Sequence, residues 1–137
     1  MFADWSAAAI RLGNAILSVN PFLLIVVEGT GFGYWWGGNL KFVTNYPVTL
    51  TNANQVLYSP HDYGPSVVNQ TWFNVKGFPR NLKDIFTNNW GYIYQSKIDP
   101  RPIMIGEFGA PLVYPKEGIW MKSLLRYMGG DFYMNGK

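Results

Sequence analysis

Apolar residues recur at Trp5, Ala8, Ala9, Leu12, Ile16 and Val19 with the three-and-four spacing of one helical face. Asp4 stands where an N-cap belongs and Asn20-Pro21 supplies a stop, so a first helix is predicted between them. The next run, Phe22-Leu23-Leu24-Ile25-Val26-Val27, is continuous, too short for a helix and rich in β-branched residues. It predicts a strand buried on both faces, as in parallel sheets. Residues 29 to 55 then lose all periodicity and fill with Gly, Asn, Tyr and Trp. A connection of that length inside a compact domain is usually functional or disordered, and Trp35-Trp36 argues against disorder.

Periodicity returns at Val56 to Ser59, a second strand that ends at His61. Asn81 is placed to cap a helix reaching about Ser96, with Leu82, Ile85, Phe86 and Ile93 on one face. Pro102 to Gly106 predicts a third strand. A last helix from about Glu117 sets Met121, Leu124, Leu125 and Met128 at i, i+3, i+4 and i+7 and stops at Gly129-Gly130. The order α-β-loop-β-α-β-α is that of an α/β fold with parallel strands and crossover helices. With no repeat or linker, residues 1–137 read as one unit. Three strands cannot close a barrel, and a (β/α)8 barrel takes about 250 residues. The chain therefore looks cut at both ends; that it is a partial TIM (β/α)8 barrel is what the resemblance given below implies.

Composition narrows the function. Aromatic residues make up 18% and charged residues 14% of the 137 positions, the reverse of a disordered chain. Nine Tyr and six Trp exceed what a core of this size needs and suit a surface that stacks on sugars or planar ligands. The charge of +3 is scattered without a basic run, which argues against nucleic acid. Lacking Cys and having a single His, the chain offers neither thiolate chemistry nor a multi-histidine metal site, and no cofactor is expected. No apolar run is long enough to span a membrane, and Met1-Phe2-Ala3-Asp4-Trp5 lacks the pattern of a signal peptide. Asn69-Gln70-Thr71 is a glycan sequon of the kind that arises by chance.

Two tempting motifs fail. Gly29-Thr30-Gly31-Phe32-Gly33-Tyr34 follows a strand, but Tyr34 takes the place of the last Gly or Ala of a dinucleotide fingerprint and no helix opens there. A glycine-rich loop is the plainer reading. Ser59 and His61 do not make a serine-hydrolase site, because no G-x-S-x-G elbow exists.

The strand ends hold the chemistry. Pro102-Ile103-Met104-Ile105-Gly106-Glu107-Phe108-Gly109 is an apolar run ending in a carboxylate, on a chain with only three Glu. Burying that group costs several kcal/mol unless it is paired or hydrogen-bonded, and Gly106 and Gly109 allow close approach. Against a structural ion pair, we read Glu107 as functional. Glu28, which ends the first strand, is its rival, and the competing account of Glu28 is a carboxylate bonding loop amides. His61 and Tyr63 fall at i and i+2, on one face of an extended segment, and together they can orient a carboxylate and tune its ionisation. Adjacent Trp35 and Trp36 cannot easily share one core, so one is expected to stack on ligand.

With these residues placed, the chain resembles family 5 glycoside hydrolases, in particular the endoglucanase (cellulase) subgroup. The resemblance runs through Asn20-Pro21, Leu24-Ile25-Val26-Val27-Glu28-Gly29, Tyr34-Trp35-Trp36-Gly37-Gly38-Asn39-Leu40, Tyr58-Ser59-Pro60-His61-Asp62-Tyr63-Gly64, Gln70-Thr71-Trp72-Phe73, Asn89-Trp90-Gly91-Tyr92 and Gly106-Glu107-Phe108-Gly109. It implies a retaining hydrolase of β-1,4-glucan on a (β/α)8 barrel, of which this chain is a fragment covering strands five to seven. Glu107 matches the family's nucleophile; His61 and Tyr63 match the pair after strand six, with Tyr63 bonding the nucleophile. Trp36, with Trp35 the lesser choice, matches a residue that stacks on a glucosyl unit, and Gln70 falls in a segment expected to bind substrate. The Asn-Glu-Pro motif that carries the family's acid/base is not in this sequence, and Glu28 does not take its place. The implied partner is a β-glucan polysaccharide or oligosaccharide, with no protein partner required, and the implied location of the full-length protein is extracellular. Hydrolysis of another β-glycan, such as mannan or xyloglucan, and a carbohydrate-binding remnant without catalysis are the alternatives. The isolated chain is expected to be marginally folded and inactive.

Overall fold

The computed structural model describes residues 4–30 and 38–130. Helix α1 (Trp5–Val19) begins as the sequence predicts, with the Asp4 side chain accepting from the Ala7 N–H at 3.1 Å. Strand β1 (Ile25–Glu28) pairs in parallel with β2 (Val56–Ser59). Pro60 then interrupts the line, and β3 (His61–Tyr63) pairs in parallel with β4 (Glu107–Gly109). The break is local, because proline has no N–H to give a ladder. The third predicted strand, Pro102 to Gly106, is shifted: β4 begins at Glu107, one residue past its expected end, and residues 102–106 join the second strand through an isolated parallel bridge of Tyr58 with Ile103 and bonds from Tyr58 N–H to the Pro102 carbonyl, Met104 N–H to Tyr58 and Gly106 N–H to Pro60. Three parallel chain segments, with helices before the first, between the second and third, and after the third, make part of an α/β barrel.

Several expectations about faces need correction. Of the stripe that defines α1 in sequence only Ala9 is buried, together with Gly13 and Leu17 beside it, whereas Trp5, Leu12, Ile16 and Val19 are exposed. Gly13 lets the helix come close to Leu50 and to Ile25 of β1, as a Cβ there would stand 2.7 Å from a Leu50 methyl and 3.4 Å from an Ile25 methyl. Nor is the first strand covered on both sides. Ile25 and Val27 turn inward, while Phe22, Leu24 and Val26 are exposed, since β1 has one strand neighbour and one covered face.

The predicted helix from Asn81 exists as three pieces: α2 (Leu82–Phe86), a π-helical turn (Thr87–Gly91) and α3 (Tyr92–Tyr94). Asn81 does not cap it; its side-chain amide donates to the Trp72 carbonyl instead. Asn89 supports the widened turn by donating to the Ile85 carbonyl at 2.8 Å. Helix α4 (Pro115–Met128) starts two residues before the expected Glu117 and buries Glu117, Trp120, Ser123, Leu124 and Tyr127. Of the predicted stripe, Leu124 is buried but Leu125 and Met128 are about half exposed. Large rings won that face: Tyr127 packs edge-on against Trp90 and Phe86, with centroids 5.1 and 5.4 Å away. Gly91 is required there, as a Cβ would meet the Tyr127 hydroxyl at 1.9 Å. No helix among the described residues is long and apolar enough to cross a membrane.

Candidate active site

Parallel pairing of β3 with β4 sets His61 opposite Glu107 and Tyr63 opposite Gly109. Because side chains alternate along a strand, His61, Tyr63 and Glu107 share one face. The Tyr63 hydroxyl donates to Glu107 Oε2 at 2.5 Å, a charge-assisted bond of the short kind. His61 Nδ1 lies 3.4 Å from the same oxygen, without the alignment of a hydrogen bond. At the other end of the imidazole, Nε2 stands 3.6 Å from Glu28 Oε1. The ring is buried, while both carboxylates open to solvent, Glu107 at 55% and Glu28 at 57% side-chain exposure. Donation to Glu107 raises the Tyr63 phenol above its ordinary value, with burial adding to it, since ionisation would set two anions side by side.

Glycine placement explains the close fit. A Cβ on Gly106 would stand 2.3 Å from the Ser59 hydroxyl and 3.3 Å from His61 Nε2, so this position must lack a side chain. At Gly109 nothing among the described residues lies within 4 Å of where a Cβ would be, so no protein contact there requires a glycine.

Of the six candidate residues, the structure brings together Glu107, His61 and Tyr63. Glu28, treated as their rival, is their neighbour through His61. Gln70 is half-buried before the 3-10 turn Thr71–Asn74, and the described contacts do not join its side chain to the other three. Trp35 and Trp36 lie outside the described residues; the loop that carries them leaves and re-enters through a bridge between Thr30 and Asn39. Among the described residues, no three His, Cys, Asp or Glu side chains gather as a metal ion would need.

Sequence reasoning passed over Asp62. It is fully buried and accepts from the indole N–H of Trp120 at 2.9 Å and of Trp90 at 3.4 Å. The available signal was its place between His61 and Tyr63, which sends its carboxyl to the covered face, where it needs a partner. Burial pushes its pKa from 3.8 up to about 7, against the two indole bonds, which lower it. The folded protein therefore holds a proton that the unfolded chain has released between about pH 4 and 7. Stability linked to that proton is complete below about pH 4 and is lost as pH rises toward 7. Asp62→Asn carries no such proton. Its melting temperature relative to the parent should rise steadily across this window, and a constant difference would contradict the assignment.

A family model for cellulase (glycosyl hydrolase family 5) matches residues 2–124. An endoglucanase from Paenibacillus polymyxa is 51% identical over 93% of this chain, and endoglucanase G from Acetivibrio thermocellus is 39% identical over 91%. An endocellulase from Pyrococcus horikoshii, solved in complex with cellotetraose, superposes with a TM-score of 0.83 at 42% identity over 92% of the chain. The catalytic domain of the major endoglucanase from Xanthomonas campestris pv. campestris gives 0.83 at 33% identity over 93%. The chain spans about a third of these proteins, 34% of the Paenibacillus relative and 37% of the Pyrococcus chain.

Proposed function

Since the chain belongs to the cellulases of glycosyl hydrolase family 5, we propose that it is part of a retaining endo-β-1,4-glucanase with Glu107 as the nucleophile. The observation that carries this reading is the 2.5 Å bond from Tyr63 to Glu107, made where the short β3–β4 ladder extends the bonds between residues 58–60 and 102–106 toward their carboxyl side, the side on which barrel enzymes keep their chemistry. With Oε2 held by Tyr63, Oε1 is the oxygen left to attack the anomeric carbon. The bond from that carbon to the leaving oxygen breaks as the glycosyl-enzyme ester forms, and water later releases the sugar.

The leaving oxygen needs a proton from a second carboxyl about 5–5.5 Å from the nucleophile. Glu28 is a poor choice, because the family resemblance puts the acid/base in an Asn-Glu-Pro motif, and Glu28 stands instead between Val27 and Gly29. We place the acid/base outside these 137 residues. Losing general acid catalysis alone costs roughly 10²–10⁴-fold, so the chain by itself should hydrolyse no β-glucan. Trp36, with Trp35 as the lesser candidate, and Gln70 are assigned to sugar binding, and cellulose-type glucan is the assigned substrate. The cellotetraose complex of the Pyrococcus relative supports that class of ligand. A 34% identical Xanthomonas relative described as the major extracellular endoglucanase supports an extracellular full-length protein.

The test is covalent. An activated 2-deoxy-2-fluorocellobioside incubated with the full-length protein should add one glycosyl mass to the peptide containing Glu107. Labelling of a different carboxylate, or of none, would overturn the assignment. Reducing sugar released from carboxymethylcellulose by the 137-residue chain, but not by its Glu107→Gln form, would refute the placement of the acid outside it.

A further inference from the structure

Two buried carboxylates join α4 to the strand that bears His61 and Tyr63, and neither takes part in the reaction just described. Asp62 receives both indole bonds from the covered face of β3. Glu117, one turn before Trp120 on α4, is only 1% exposed, and its Oε1 accepts from the Ser66 backbone N–H at 2.6 Å. Its Oε2 has no hydrogen-bond partner among the described residues. That oxygen lies so close over Gly64 that a Cβ there would stand 1.8 Å from it. Helix α4 thus grips the chain on both sides of Tyr63, at Asp62 before it and at Gly64 to Ser66 after it.

A fold in need of stability alone does not call for this arrangement. Burying a polar group costs free energy unless it is hydrogen-bonded, and apolar packing of the same volume meets no such cost. Directional bonds do something apolar contact cannot: they set one position for the backbone between them. Position matters here, because a misplacement of about 1 Å near reacting groups can cost roughly 10²-fold in rate.

We propose that Asp62 and Glu117 are positioning residues, a two-point clamp through which helix α4 sets where Tyr63 and His61 meet Glu107. The proposal rests on the reading of Glu107 as nucleophile, and a double-mutant cycle in the full-length protein tests it. Trp120→Phe keeps an aromatic ring but removes the donor to Asp62; Asp62→Asn keeps the shape and one acceptor. With an aryl cellobioside, Trp120→Phe should lower kcat by about tenfold or more with KM within about twofold, and Asp62→Asn should retain part of the rate. In a Tyr63→Phe background the same changes should cost less than about twofold, because the clamp acts through Tyr63. An unchanged kcat, or an equal loss in both backgrounds accompanied by a lower melting temperature, would show a purely structural role and overturn the proposal. If Trp120→Phe does not fold, Asp62→Asn and Glu117→Gln complete the cycle. If the parent protein neither hydrolyses nor labels, the functional reading itself has failed. A crystal structure of the Asp62→Asn variant then decides the clamp: Tyr63 displaced from Glu107 supports it, and an unmoved Tyr63 sinks it.

Discussion

Glu107→Gln in the full-length protein is expected to lower kcat on β-glucan by about 10⁴-fold or more while leaving the fold intact. The amide has the shape of the carboxylate but not its nucleophilic oxygen. Because the Glu107 side chain is 55% exposed, no core packing changes, and the Tyr63 hydroxyl still finds an oxygen to donate to. Initial rates of reducing-sugar release measure the loss, and an unchanged thermal midpoint separates it from unfolding. A variant that keeps more than about 1% of the parent rate would move the nucleophile elsewhere. Glu28, across the His61 ring, would then be the next carboxylate to replace.

Trp120→Ala carries the largest expected effect on stability. Its side chain is 0% exposed, and from α4 it reaches Asp62 of β3. Truncating a buried Trp costs about 3–5 kcal/mol through lost burial and the cavity left behind. Asp62 would also lose its 2.9 Å donor, and a buried acceptor without its partner costs about 1–3 kcal/mol more. Against a total stability of about 5–15 kcal/mol, the sum removes a large part of it. Urea unfolding of parent and variant reads the difference directly. A loss below about 1 kcal/mol would mean that the site collapses around the gap and that Trp120 is no anchor.

Much of the candidate site was legible because its determinants are local. A continuous apolar run ending in Glu107, and His61 and Tyr63 two positions apart, require only the period-two geometry of a strand to face the same way. The structure then sets the Tyr63 hydroxyl on Glu107. Helix faces were read less well. In α1, Leu12 and Ile16 formed the conspicuous stripe, yet Gly13 is where the loop residue Leu50 and Ile25 of β1 approach. In α4, Trp120 and Tyr127 displaced Leu125 from the core. An apolar stripe shows that a face can be buried, but it does not name the neighbour, and close approach by a small residue leaves no hydrophobic signal at all.

By itself the sequence determined the element order, the parallel α/β character, and the placement of Glu107, His61 and Tyr63 at strand ends, since each follows from spacing over a few residues. Only the tertiary structure decided what stands behind them. Asp62 meets Trp120 across 58 residues and Glu117 meets Ser66 across 51. No pattern in one dimension records those pairings. They exist because burying a carboxylate requires a donor, and the fold, folding α4 back beneath β3, is what brings the donor there.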